Sequence, residues 1–189
     1  DLGNTNTVIA FQREGDKDLV LIEIPEITIS PGVVPTAVWF EGQGNITKIG
    51  LSALRKKNCS NSEIYFHSNF KRLIGNSVES QKNKVLSPIE SGEKFFKILW
   101  ENIPKELDIK RLVLTAPIDT YKGYRKWLIN LCEDLPVNEI AIVDEPTAAG
   151  IGINVPLGSK ILVIDIGGST TDMSVIKTQG GEGKSAPIA

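Results

Sequence analysis

The amino-acid sequence predicts a layered α/β fold in which helices cover both faces of a sheet, and three observations predict it. From Gly92 onward, segments with apolar residues at spacings of three and four alternate with short, continuous apolar runs. Near the start, two strand-like runs are joined by a polar loop containing Gly15, which is the pattern of a β-hairpin. The 189 residues, 41% hydrophobic and 23% charged, have an ordinary globular composition and are enough to bury a core without a disulfide or metal staple.

Each element follows from its residues. Positions 8–12 read as a strand, Gly15-Asp16-Lys17 as a turn, and positions 19–24, Leu-Val-Leu-Ile-Glu-Ile, as the antiparallel partner. Pro25, Pro31 and Pro35 punctuate an irregular stretch, and positions 36–40 give another short strand that carries Trp39. The segment from about Pro35 to Leu86 is more polar, contains the only histidine, His67, and reads as an insertion or subdomain. Phe95, Phe96, Leu99 and Ile103 share one helix face, with Pro104 near its end. Positions 111–115 form a strand, and Tyr124, Trp127, Leu128, Leu131 and Leu135 mark a second amphipathic helix. Positions 140–143 and 161–164 are apolar throughout and suit buried strands, and positions 173–176 form the last strand after a glycine turn.

Charge and cysteine usage exclude several classes. Lys and Arg number 21 against 23 Asp and Glu, a formal charge of −2, without the positive footprint that nucleic acids require. Cys59 and Cys132 form no CxxC pair, so a disulfide scaffold or zinc site is not expected and a reducing, cytoplasmic setting is. No run of about 18 apolar residues is present to span a membrane as a helix. Two glycosylation sequons, at Asn45 and Asn58, have no signal peptide before them and read as chance matches. His67 has no ligand-spaced neighbours and is expected at the surface or in the core, and the Arg55-Lys56-Lys57 cluster reads as a solvated helix face.

Two segments share one design: Asp1-Leu2-Gly3-Asn4-Thr5-Asn6-Thr7 and Asp165-Ile166-Gly167-Gly168-Ser169-Thr170-Thr171-Asp172. Glycine lets a backbone approach an anion closely, and successive N–H groups in a tight turn form a nest for phosphate oxygens. Thr5, Ser169, Thr170 and Thr171 add hydroxyl donors, and each Asp offers an oxygen to hydrated Mg²⁺, which takes only one or two carboxylates. Alone, either segment is an ordinary hairpin turn; facing each other, the two would hold a polyphosphate from both sides. Between them, Glu145-Pro146 stands at a strand-to-helix corner, where a carboxylate can cap the helix or point into a cleft and orient water.

These turns, together with Phe70-Lys71-Arg72-Leu73-Ile74-Gly75, Ala116-Pro117 with Arg125 eight residues on, and Glu145-Pro146-Thr147-Ala148-Ala149, resemble the ATPase domain of the heat-shock protein 70 (DnaK-type) chaperones, part of the actin-like ATPase superfamily. The resemblance implies an actin-like, ribonuclease H-like lobe with a mixed five-stranded sheet. Residues 1–35 and 92–189 would be its core, 36–91 an inserted smaller subdomain, and 179–189 a linker toward a second lobe. It further implies ATP or ADP with Mg²⁺ as cofactors. Asp1 and Asp165 would hold the metal through water, while Gly3, Asn4, Thr5, Gly167, Gly168, Ser169 and Thr170 line the phosphates. Lys71 would reach the γ-phosphate, Glu145 would position the attacking water, and Pro117 and Arg125 would relay nucleotide state to a partner domain. Implied partners are client proteins, a J-domain protein and a nucleotide exchange factor.

Departures point to a divergent member. Asn4 stands where the family usually has Thr, Ser169 where it has a third Gly, Thr171 where it has Phe, and Ile118-Asp119 where it has Ala-Tyr. The first turn begins directly at Asp1, and a glycine-rich stretch closes the chain, so it reads as a piece of a longer protein; because the family grips adenosine mainly with a second lobe, the resemblance implies that this piece alone binds ATP weakly or not at all. Two alternatives stay open: an MreB-like filament-forming ATPase, and a nucleotide-binding regulator without turnover.

Overall fold

The computed structural model describes residues 1–42, 46–74, 85–118, 122–168, 171–178 and 186–187. Strand β1 (Asn6–Val8) pairs antiparallel with β4 (Val33–Pro35), and β2 (Ala10–Phe11) pairs with β3 (Val20–Leu21) in the expected hairpin, Ala10 opposite Leu21. Gly15, at φ 87°, supplies the left-handed turn between them. β5 (Ala37–Glu41) is the centre of a three-stranded antiparallel sheet with β6 (Ile46–Ile49) on one side and β7 (Phe66–Ser68) on the other. Helix α1 (Gly50–Asn58) lays Ala53 against Ala37, Trp39 and Phe66, a small satellite core.

Helix α2 (Pro88–Glu101) starts where local chemistry directs it. The Ser87 hydroxyl accepts from the Glu90 N–H at 3.2 Å, the Glu90 carboxylate accepts from the Ser87 N–H at 2.8 Å, and Pro88 occupies the first turn. Gly92 is required by packing, since a Cβ there would fall 2.7 Å from the Trp127 ring. Strand β8 (Arg111–Ala116) crosses over through helix α3 (Lys122–Cys132) to the parallel β9 (Glu139–Asp144). Helix α4 (Glu145–Gly152) follows at once, capped by the Asp144 carboxylate accepting from the Thr147 N–H at 2.9 Å. β10 (Lys160–Ile166) and β11 (Thr171–Lys177) form a seven-pair antiparallel ladder, extended by β12 (Ala186–Pro187).

The main core joins Leu2, Val34, Val38, Ile49, Phe70, Ile74, Phe95, Leu114, Tyr124 and Leu128, so the 36–91 segment shares its interior with the helices that follow. Each such side chain contributes about 1.5–3 kcal/mol on burial. His67 lies in the interior, on β7 opposite Val38.

Two expectations are corrected. The strands pair as five small sheets of two or three strands among the described residues, and the five-stranded mixed sheet is not among them. The 140–143 and 161–164 runs are not buried on both faces: Ile140 is exposed, as are Leu162, Ile164, Ile166, Met173 and Val175 on one face of the β10–β11 ladder. The reason is geometric. α4 covers the opposite face, where Gly150 sits close against Ile161 and Ile176, and the side chains of the first face stay exposed.

Candidate functional site

A cleft of about 320 Å³ opens where the two glycine turns meet. In the first turn the Val8 N–H donates to the Asp1 carbonyl at 2.8 Å and Leu2 bridges Thr7, so residues 3–6 reverse tightly; a Cβ on Gly3 would collide with the Asn6 carbonyl. Thr36 anchors this turn from below. Buried on β4's C-terminal side, its N–H donates to the Thr5 carbonyl at 2.8 Å, its hydroxyl donates to the Gly3 carbonyl at 2.8 Å, and it lies 2.9 Å from the Thr7 hydroxyl. In the second turn Asp165 stands opposite Asp172 and Ile166 opposite Thr171. Gly168 faces Thr5 so closely that a Cβ would overlap the Thr5 hydroxyl. Ser169 and Thr170 lie outside the described residues.

Three further elements close the cleft. The one-turn 3₁₀ helix Lys71–Leu73 brings Lys71 over it, and the Lys71 ammonium meets the Glu145 carboxylate at 2.7 Å. The two side chains are 11% and 20% exposed, so this pair is shielded from water far more than the Arg55–Glu26 pair at 57% and 66%. Asn4 donates to the Asn69 side chain at 2.9 Å, which ties the first turn to the backbone that carries Lys71. Asn69 itself adopts φ 56°, a left-handed conformation that Asn tolerates. From β8, the Thr115 hydroxyl donates to the Asp1 carboxylate at 2.9 Å.

Of the residues singled out from sequence, Asp1, Gly3, Asn4, Thr5, Lys71, Pro117, Glu145, Asp165, Gly167 and Gly168 all line this cleft. Arg125 does not; it lies exposed on α3. Arg72, Tyr124 and Asp172 also line the cleft and were not singled out. Asp172 carried a signal, because antiparallel pairing of the turn places it opposite Asp165. Tyr124 carried none beyond its helical spacing. Its ring lies 5.4 Å from the Lys71 ammonium, and burial, reinforced by the negative charge of Glu145, pushes its phenol far above the ordinary value.

Among the described residues, no group of three or more His, Cys, Asp or Glu side chains is arranged to hold a metal, and no helix is long and apolar enough to cross a membrane. The family model for MreB/Mbl protein matches residues 25–185. Curated relatives are chaperones by name. The chain is 27% identical over 208 residues to the chaperone protein HscA homolog of Pasteurella multocida, covering 96% of this chain and 32% of that protein. It is 29% identical over 191 residues to chaperone protein DnaK of Metamycoplasma hominis, covering 96% and 30%. Against DnaK of Ureaplasma parvum serovar 3 the identity is 30% over 182 residues, covering 93% and 28%. The chain therefore spans about a third of the length of these relatives.

Proposed function

Because this chain belongs to the MreB/Mbl family, with its actin-like ATPase fold, and is similar over almost its whole length to DnaK and HscA, we propose that it is the N-terminal lobe of the ATPase domain of a divergent heat-shock protein 70-like chaperone. In the full-length protein this lobe binds ATP with Mg²⁺ and takes part in its hydrolysis. The observation that carries the reading is the shielded Lys71–Glu145 pair, set where the two glycine turns converge with Asp1 and Asp165.

The residues present fit a metal-bound polyphosphate. Gly3 and Gly168 stand where a Cβ would strike Asn6 or Thr5, so both turns keep their backbones close and open to an anion. Among the described residues, the side chains that line the cleft include four carboxylates, Asp1, Glu145, Asp165 and Asp172, against two cations, Lys71 and Arg72. That surplus of side-chain negative charge opposes a bare polyphosphate, and a divalent cation held through water by Asp1 and Asp165 would offset it. When bound, Mg²⁺ supplies charge neutralisation on the phosphate oxygens. Gly3, Asn4, Thr5, Gly167 and Gly168 line the phosphates. Lys71 stabilises charge on the terminal phosphoryl group, and Glu145 orients the attacking water. In this reading residues 36–91 are the smaller inserted piece that carries Lys71. Pro117 in the cleft and exposed Arg125 on the following helix relay nucleotide state outward, and the chaperone cycle runs in the cytoplasm on client proteins with a J-domain partner and an exchange factor.

Phosphate release by the full-length protein with Mg·ATP tests this, read beside Lys71→Ala. Turnover that falls at least about a hundredfold in the variant supports the reading; a near-zero rate unchanged by the substitution identifies a non-hydrolysing regulator instead. The match of the MreB/Mbl model to residues 25–185 favours a second reading, a filament-forming ATPase. Only that reading expects the full-length protein to pellet on centrifugation with ATP.

A further inference from the structure

Beneath the Lys71–Glu145 pair lies a group that the reading above leaves unused. Tyr124, near the start of α3, is 1% exposed and lines the cleft. Its ring packs on Trp127, centroids 5.4 Å apart, and lies under the Lys71 ammonium. A phenylalanine would supply all of that packing. The hydroxyl, by contrast, is buried without a hydrogen-bond partner among the described protein atoms. Buried hydroxyls are nearly always paired, so a core that strands one in a cleft lined also by Lys71 and Glu145 calls for a reason. With its ionisation opposed by burial and by Glu145, the phenol is a neutral O–H donor throughout the physiological range.

The geometry points to Tyr124 as a positioning residue, the reserve hydrogen-bond donor to Glu145. In this structure Lys71 holds the Glu145 carboxylate. A polyphosphate in the cleft competes for the Lys71 ammonium, and Glu145, four-fifths shielded from solvent, loses its donor. The Tyr124 O–H then donates to that carboxylate and keeps it turned into the cleft, where it orients water. No bond is made or broken, and the proton stays on the phenol oxygen. The device lets one lysine serve two anions in turn while the carboxylate is never left unpaired in a shielded site.

The inference rests on the ATPase reading of this cleft, and its test separates the two. Full-length wild type, Tyr124→Phe, Glu145→Ala and the double variant are compared in steady-state Mg·ATP turnover, with thermal melts of each. For Tyr124→Phe the expected result is kcat down about tenfold, the worth of one hydrogen bond to a charged group, with KM within about twofold and a melting temperature no lower than wild type. In the Glu145→Ala background the same substitution changes nothing further, because the hydroxyl acts through that carboxylate. A merely structural tyrosine would lower stability and activity together in both backgrounds. If Lys71→Ala abolishes turnover while Tyr124→Phe retains the wild-type kcat, the inference falls alone. It also falls if Tyr124→Phe lowers the melting temperature or costs as much without Glu145. Absent turnover in wild type overturns the ATPase reading and this inference with it.

Discussion

Removing the Lys71 charge isolates the strongest electrostatic element of the cleft. The ammonium and the Glu145 carboxylate are 2.7 Å apart, and both side chains are mostly shielded. Lys71→Met keeps most of the aliphatic stem and leaves Glu145 without its cationic partner, in a cleft that Asp1 and Asp165 also line. A hydrogen bond to a charged group is worth about 1.5–3 kcal/mol, and taking the opposite charge away from a partly buried carboxylate belongs at the same scale, so the expected loss is about 2 kcal/mol. In a chain of this size that lowers Tm by roughly 4–8 °C. Glu145→Gln removes the other charge and is expected to cost about as much. The double variant Lys71→Met/Glu145→Gln strands neither charge and should cost no more than either single change, a coupling of about 2 kcal/mol. Thermal unfolding of all four proteins by circular dichroism gives the cycle. If the two single losses simply add in the double variant, the pair is no energetic unit and the reasoning fails.

Other expectations concern the frame around the cleft. Gly50 adopts φ 60°, and a Cβ there would overlap the Ile27 carbonyl, so Gly50→Ala should destabilise by about 3 kcal/mol or more, read as a fall in the urea midpoint; a midpoint equal to wild type would contradict the geometry. Thr36→Val deletes the hydroxyl that joins Gly3 to Thr7 inside the core, with an expected cost of about 2 kcal/mol in the same titration. Burial pushes the Cys132 thiol up to about 11, whereas Cys59 is exposed. At pH 8 iodoacetamide should therefore label Cys59 alone by mass spectrometry, and Cys132 only after denaturation, since the thiolate is the nucleophile.

The sequence discloses the local devices of this protein more fully than its assembly. The Asp-Gly turns are legible because a tight reversal next to an anion needs glycine and small polar residues, and Lys71 stands in a string specific enough to single it out. Helices 88–101 and 122–132 show in their three-and-four spacing. Tyr124 is hidden by that same spacing. It recurs with Trp127 and Leu128 on one face, and periodicity cannot say that one member of a core stripe also borders a cleft. Thr36 is hidden likewise, a threonine in a strand whose hydroxyl matters only once the turn at Gly3 lies over it. The apolar runs at 140–143 and 161–164 mislead for a further reason. Hydrophobicity reports what a segment would gain from cover, and whether another element supplies that cover is a property of the whole arrangement.

The bare side of the β10–β11 ladder has a consequence for how this chain behaves in bulk. Leu162, Ile164, Ile166, Met173 and Val175 form an oily plate on a protein whose formal charge is only −2. Weak net charge gives little repulsion between molecules, and strongly hydrated anions such as sulfate drive apolar surface out of water. The chain should accordingly salt out early, and replacing Ile164 and Met173 by glutamate, which takes the formal charge from −2 to about −4, should raise the ammonium sulfate concentration at which it precipitates.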